Sequence, residues 1–216
     1  MGAALPGKQG YLILVLTRRN FIVGGLAISA NAQQKAVVYR PDASAWQSVG
    51  FGAWAAQDSA ISGHCEKSRP GEGFLLGREE FKDFRLTLSF WISAGGSSAI
   101  FVREPRRKWG PTGNDRPGRG PNAGYEIAIN YRDTENPTGT ICNVQKPKKV
   151  AGAEEQWNEL EILFRGSELR ITIAGQKVNR VDQLLSQPGV IGFKTPATAP
   201  EGFVVRFQDV AISPIA

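Results

Sequence analysis

Four polar side chains stand where a strand would turn them away from an apolar core. Arg103 ends the run Ser98-Ala99-Ile100-Phe101-Val102-Arg103, and Glu126 lies within Gly124-Tyr125-Glu126-Ile127. Asn130 follows on the parity of Glu126, and Lys194 comes directly after Gly192-Phe193. If their strands are neighbours, a guanidinium, a carboxylate, an amide and an ammonium converge on one surface. Such a set would orient a polyhydroxylated ligand or carry general acid–base chemistry. The plainer alternative is that Arg103 and Glu126 form an ordinary cross-strand ion pair, worth about 0.2–1 kcal/mol. Between them, Glu104 to Ala123 reads EPRRKWGPTGNDRPGRGPNA, an aperiodic stretch rich in Gly, Pro and Arg. A loop of that size is either functional or a loose surface insertion. In the functional reading Trp109 stacks on a flat ring, and Arg106, Arg107 or Arg116 bind hydroxyl or carboxylate oxygens.

The elements that must position these groups follow a period of two. In Phe84-Arg85-Leu86-Thr87-Leu88-Ser89-Phe90-Trp91-Ile92 the apolar members alternate with polar ones, and Trp91 falls on the polar side. The same alternation runs through Tyr125, Ile127 and Ile129, through Leu160, Ile162 and Phe164, and through Leu169, Ile171 and Ile173. A final run over Phe203 to Ile212 shifts phase near Asp209, which predicts a bulge. Turn signals such as Arg165-Gly166-Ser167 and Ala174-Gly175-Gln176 separate the runs. After residue 33 only Val181 to Ser186 offers a turn of helix. Ten or so short strands with this spacing predict two packed antiparallel sheets, each with one face buried.

Composition narrows the function classes. Among 216 residues the formal charge is +6, but residues 1–32 hold Lys8, Arg18 and Arg19 and no acid. That leaves 23 basic against 20 acidic side chains, an excess of three and no dense basic face for nucleic acid. Two cysteines, Cys65 and Cys142, and one histidine, His64, exclude a disulfide scaffold and a zinc site of several Cys and His ligands. Whether the two thiols pair is left open, and His64 reads as a solvent-exposed loop residue. Asp133 and Glu135, near Asn130, are ligand types for Ca²⁺, but they lie in no spaced ligand loop, so the cofactor is left open.

The N-terminus reads as an address. Thr17-Arg18-Arg19-Asn20-Phe21-Ile22 has the form of a twin-arginine motif, followed by an apolar stretch to Ile28 and by Ala30-Asn31-Ala32 for a signal peptidase. Cleavage before Gln33 is expected, giving a leader over residues 1–32, with residues 1–15 a candidate misread start, and a mature domain over 33–216. Neither apolar piece reaches the ~20 residues that span a bilayer, so no membrane anchor is expected. The predicted location is periplasmic or secreted.

Seven short motifs, in order over residues 45–214, give the chain its resemblance to a known family. They are Phe81-Lys82-Asp83-Phe84-Arg85-Leu86, Ser97 to Arg103, Gly124 to Ile127, Thr138-Gly139-Thr140-Ile141, Trp157-Asn158 with Leu160 and Ile162, Gly189 to Phe193, and Val205 to Val210. Together they resemble the 3-keto-disaccharide hydrolase domain family. The resemblance implies an all-β fold, a concanavalin A-like jelly-roll sandwich of two antiparallel sheets, and action on sugars oxidised at carbon 3. It casts Glu126 as catalytic base or acid and Arg103 as enolate stabiliser; Asn130, Lys194, Trp109 and Trp91, by their strand and loop positions, are the substrate-binding candidates. Ser97, Ala99, Ala128 and Lys194 stand where the family carries Asn, Gly, Gln and Gln. Two functional readings follow: an exported enzyme cleaving 3-keto-glycosides by elimination and hydration, and a non-catalytic carbohydrate-binding domain using Trp91 and Trp109 as platforms. A third is an envelope interaction domain without a sugar ligand.

Overall fold

A computed structural model describes residues 37–38, 44–57, 60–66, 68, 70–110, 115–120 and 122–215. The leader expected over residues 1–32 lies outside the described residues.

Among the described residues thirteen strands run in chain order: β1 (Val37–Val38), β2 (Trp46–Gly50), β3 (Gly52–Gln57), β4 (Ala60–Cys65), β5 (Gly73–Phe81), β6 (Phe84–Ile92) and β7 (Ser98–Glu104). They continue with β8 (Tyr125–Ile129), β9 (Asn158–Arg165), β10 (Glu168–Ile173), β11 (Gln176–Val181), β12 (Gly189–Thr195) and β13 (Val204–Pro214). One sheet has eight strands in the order β11-β10-β9-β6-β13-β4-β3, with β1 added to β13. The other has five, in the order β2-β5-β12-β7-β8. All the pairings are antiparallel.

Alternation explains why the sheets close on each other. Phe84, Leu86, Leu88, Phe90 and Ile92 of β6 are buried while Arg85, Thr87, Ser89 and Trp91 stay at least partly open. Their partners on β9, β10 and β13 repeat the pattern, and the five-stranded sheet answers with Ile100, Val102, Ile127, Ile129, Ile191 and Phe193. At the centre Phe193 stacks on Phe207 across the two sheets, 4.1 Å between ring centroids and 17° apart in plane.

The phase shift expected near Asp209 is present. Register between β13 and β6 slips between Gln208 and Ala211, and Asp209 has φ +55°. No helix forms over Val181 to Ser186, where Leu184 N–H instead donates to the Ser167 carbonyl. His64 is also not a loop residue. It lies half-buried in β4, paired with Ala53 and Val204.

Candidate functional site

The outer face of the five-stranded sheet brings Glu126 and Lys194 together. Strand parity sets Phe74, Lys194, Ala99 and Ala128 in one cross-strand row, and Leu76, Gly192, Phe101 and Glu126 in the next. Lys194 reaches diagonally to hydrogen-bond the Glu126 carboxylate, and its Nζ also lies 3.6 Å from Glu72 Oε1. Glu72 in turn pairs with Arg116, from the loop between β7 and β8. Arg116, Glu72, Lys194 and Glu126 therefore form a chain of alternating charge. The side chains of Lys194 and Glu126 are only 13% and 19% exposed, which strengthens their mutual attraction relative to water.

The loop after β7 covers the same face. Phe74, Leu76, Phe101, Val49 and Val190 make a second apolar cluster outside the main core, and Trp109 packs against it. Gly118 crosses directly over Phe101: its φ is +74°, and a Cβ there would sit 2.7 Å from the Phe101 ring. Arg116 lies above the Phe74 ring at 5.8 Å. Trp109 thus shares the surface of Glu126, as expected, but as part of a packed cover.

Arg103 does not share it. Between the pairs Val190↔Glu104 and Gly192↔Phe101, β7 contains one more residue than β12, and Arg103 has φ +52°. That extra residue is a bulge, and it reverses the parity of everything after it. Arg103 consequently turns to the core side, fully buried, with its guanidinium 3.4 Å from the centroid of Phe164. Nε donates to the Lys82 carbonyl at 2.6 Å, Nη1 to the carbonyls of Gly166 and Leu185 at 2.8 and 2.9 Å, and Nη2 to the Asp83 carboxylate at 2.9 Å. Burial pulls this guanidinium below its ordinary pKa, and the Asp83 charge works against that. The expected convergence of Arg103 with Glu126 is corrected accordingly: Arg103 fastens the end of the sandwich.

The bulge delivers Glu104, which sequence parity did not single out, to the outer face. Its fully buried carboxylate accepts the Gly118 and Gly124 amides at 3.1 and 3.0 Å, and Arg107 approaches at 3.3 Å. Burial raises its pKa, while the two amides and Arg107 hold it down in part. Glu104 is thus the peg on which the covering loop hangs.

Two further expectations change. Asn130 Oδ1 accepts the backbone amides of Arg132 and Asp133, both at 3.0 Å, so its side chain serves its own turn. Trp91 lies on the eight-stranded sheet, with Arg206 at 5.2 Å from its ring, away from the Glu126 face. Asp133 and Glu135 are likewise engaged locally, the first by the Glu135 amide and the second by Lys146. Cys65 and Cys142 are both free thiols.

Cys142 flanks the carboxylate. Its amide donates to the Glu126 carbonyl, so the segment after Gly139 runs along the open edge of β8. Burial, with a contribution from Glu126 and against Lys194, pushes the thiol up to about 11. Because the thiolate is the nucleophile, iodoacetamide at pH 8 should modify Cys142 far more slowly than an ordinary cysteine of pKa ~8.5. Glu126→Gln removes one cause of the shift and should speed that modification, read by intact mass. An unchanged rate would show that the thiol does not sense the carboxylate.

The comparisons with known proteins now bear on this face. A family model described as the 3-keto-alpha-glucoside-1,2-lyase-like domain matches residues 41–213. The chain belongs to this family. No curated protein matches the chain in sequence. Among solved structures, a Parabacteroides distasonis protein provisionally assigned as a glycosyl hydrolase aligns with TM-score 0.62 at 16% identity, covering 80% of this chain and 89% of that one. The Bacillus subtilis carbohydrate-binding module CBM66 aligns with TM-score 0.56 at 17% identity, over 78% and 95%. A legume lectin-like domain from Entamoeba histolytica aligns with TM-score 0.57 at 16% identity, over 83% and 97%. At these identities the likeness is one of fold: the chain has the jelly-roll sandwich expected from its sequence.

Proposed function

We propose that this domain cleaves 3-keto-glycosides by elimination followed by hydration, on the outer face of its five-stranded sheet. The observation that carries the reading is the Glu126–Lys194 pair, a carboxylate and an ammonium held together in a largely covered setting within the span that the family model matches. A ketone at carbon 3 acidifies the hydrogen on carbon 2. Glu126 takes that proton, the electron pair moves toward the ketone oxygen, and Lys194 stabilises the enolate. Collapse of the enolate expels the glycosidic oxygen from carbon 1, which leaves as an alcohol once protonated. Water then adds across the carbon 1–carbon 2 double bond, so the net change is hydrolysis. Lys194 takes the part that the sequence assigned to Arg103. Trp109, Phe74 and Phe101 supply an apolar wall beside the pair.

Incubation of the purified protein with 3-keto-trehalose and 3-keto-glucosides, with released sugar assayed, tests the reading. Release from the keto-sugars and none from the parent sugars is expected. Binding without consumption of any keto-sugar would overturn it in favour of a carbohydrate-binding domain. That second reading draws on the fold neighbours, a binding module and a lectin-like domain among them, and on Lys194 already neutralising Glu126. Export by the twin-arginine leader belongs to the same proposal, and N-terminal sequencing of the secreted protein, beginning at Gln33, checks it.

A further inference from the structure

The opposite side of the molecule carries a second surface that the reaction above does not use. A cavity of about 450 Å³ opens on the outer face of the eight-stranded sheet, lined by Thr87, Ser89, Glu159, Glu161, Thr172 and Asp209 among others. That volume falls within the range of about 300–1,000 Å³ usual for ligand sites. Register explains how these side chains meet. Ser89 faces Glu159 and Thr87 faces Glu161 across β6 and β9, while Thr172 of β10 faces Glu161 from the other side. The β13 bulge swings Asp209 in from the remaining flank. Glu161 is shared with Arg85 at 3.5 Å. Among the described residues, the carboxylates of Glu159 and Asp209 and the hydroxyls of Thr87, Ser89 and Thr172 have no protein partner.

Next to this polar row stands an aromatic one. Trp91 lies two residues beyond Ser89 on the same face, about 7 Å further along the strand. The β6–β9 register pairs Phe90 with Asn158, and extending it by one pair sets Trp157 beside Trp91. Trp157 is 42% exposed, one of four large apolar side chains that the described chain leaves open. On that register two indoles, Trp91 with Arg206 over its ring and Trp157, border a trough of hydrogen-bonding groups that no described residue occupies.

We infer that this face is a second binding site, for a neutral oligosaccharide. Pyranose rings present flat carbon–hydrogen faces that pack on indole, while their rims present hydroxyls as vicinal pairs that a carboxylate accepts bidentately. With Glu161 shared by Arg85, the unpaired carboxylates of Glu159 and Asp209 still disfavour a phosphate or uronate chain in the trough, and protein interfaces are depleted of Asp and Glu at their centres. The site is independent of Glu126 and of the keto-sugar chemistry.

Titrating the full chain with cellohexaose and with maltohexaose, by calorimetry and by tryptophan emission, tests it. At least one hexaose should bind, and Trp157→Ala and Trp91→Ala should each weaken that binding by about tenfold or more. Glu126→Gln should leave it unchanged. Because Trp157 is the more exposed of the two, its variant should fold even if that of Trp91 does not, which a circular-dichroism spectrum checks. Failure of both hexaoses to bind at millimolar concentration would overturn the inference, as would binding that Glu126→Gln abolishes and Trp157→Ala leaves intact. Turnover of 3-keto-glucosides by Trp157→Ala stays at the wild-type rate if the two faces act separately, so the two proposals stand or fall apart.

Discussion

Glu126→Gln is expected to lower turnover of a 3-keto-glucoside by about 10²–10⁴-fold while leaving its binding nearly intact. The range is what a positioned general base contributes to a proton transfer. The substitution keeps the side chain's size and an oxygen for Lys194, so the chain of contacts to Glu72 and Arg116 persists. Only the capacity to accept a proton from carbon 2 is removed. The deficit should therefore appear in kcat, with KM little changed. Lys194→Met is the companion, removing the cation from the enolate at a cost of about 10²–10³-fold in kcat. Steady-state kinetics with 3-keto-trehalose separates the roles. If Glu126→Gln turns over at the wild-type rate, the carboxylate is not the base.

The largest effect on stability is expected from Arg103→Met. The guanidinium has no exposed surface and serves four acceptors: the carbonyls of Lys82, Gly166 and Leu185 and the carboxylate of Asp83. Methionine preserves much of the volume over Phe164 but leaves the buried carbonyls without donors and Asp83 without its counter-ion. Breaking a buried pair in this way costs about 3–5 kcal/mol. For a domain of this size each kcal/mol lowers Tm by about 2–4 °C, so a fall of roughly 6–20 °C is expected in a thermal scan. Arg103→Lys should recover little of it, because one ammonium cannot span the fork of contacts. A loss under about 1 kcal/mol for the methionine variant would show that the buried network is dispensable. Both variants should retain the ability to turn over a keto-glucoside at temperatures where they remain folded, since Arg103 lies outside the proposed site.

The fold was legible because its strands bury one face and expose the other. β6 reads off the sequence residue by residue, and the β13 bulge announced itself as a break in the apolar rhythm near Asp209. The site was legible only in part, for one reason repeated. Parity places a side chain correctly until a bulge intervenes, and the bulge in β7 falls within an unbroken apolar run ending in Val102-Arg103-Glu104, where no apolar residue is displaced to betray it. Glu126 and Lys194 lie on undisturbed parity and were placed together. Trp91 was assigned to its correct face of β6, but alternation does not say which of two sheets a strand joins. Asn130 sits just past the end of β8, where turn chemistry claims the side chain. Glu72, which links the loop to Lys194, precedes β5 and carries no periodic signal.

The extra residue in β7 ties two jobs to one spot in the chain. Arg103 and Glu104 are adjacent in sequence yet serve opposite sides of the sheet, one locking the interior and the other suspending the cover above Phe101. Flattening the bulge while keeping every residue would exchange their destinations, sending a carboxylate toward Phe164 and a guanidinium toward the Gly118 and Gly124 amides, which repel it. Fastener and cover are therefore inherited together: a lineage can remodel the reach of the 104–123 segment freely, but it cannot lose the kink beneath it without also undoing the seam that holds the two sheets shut.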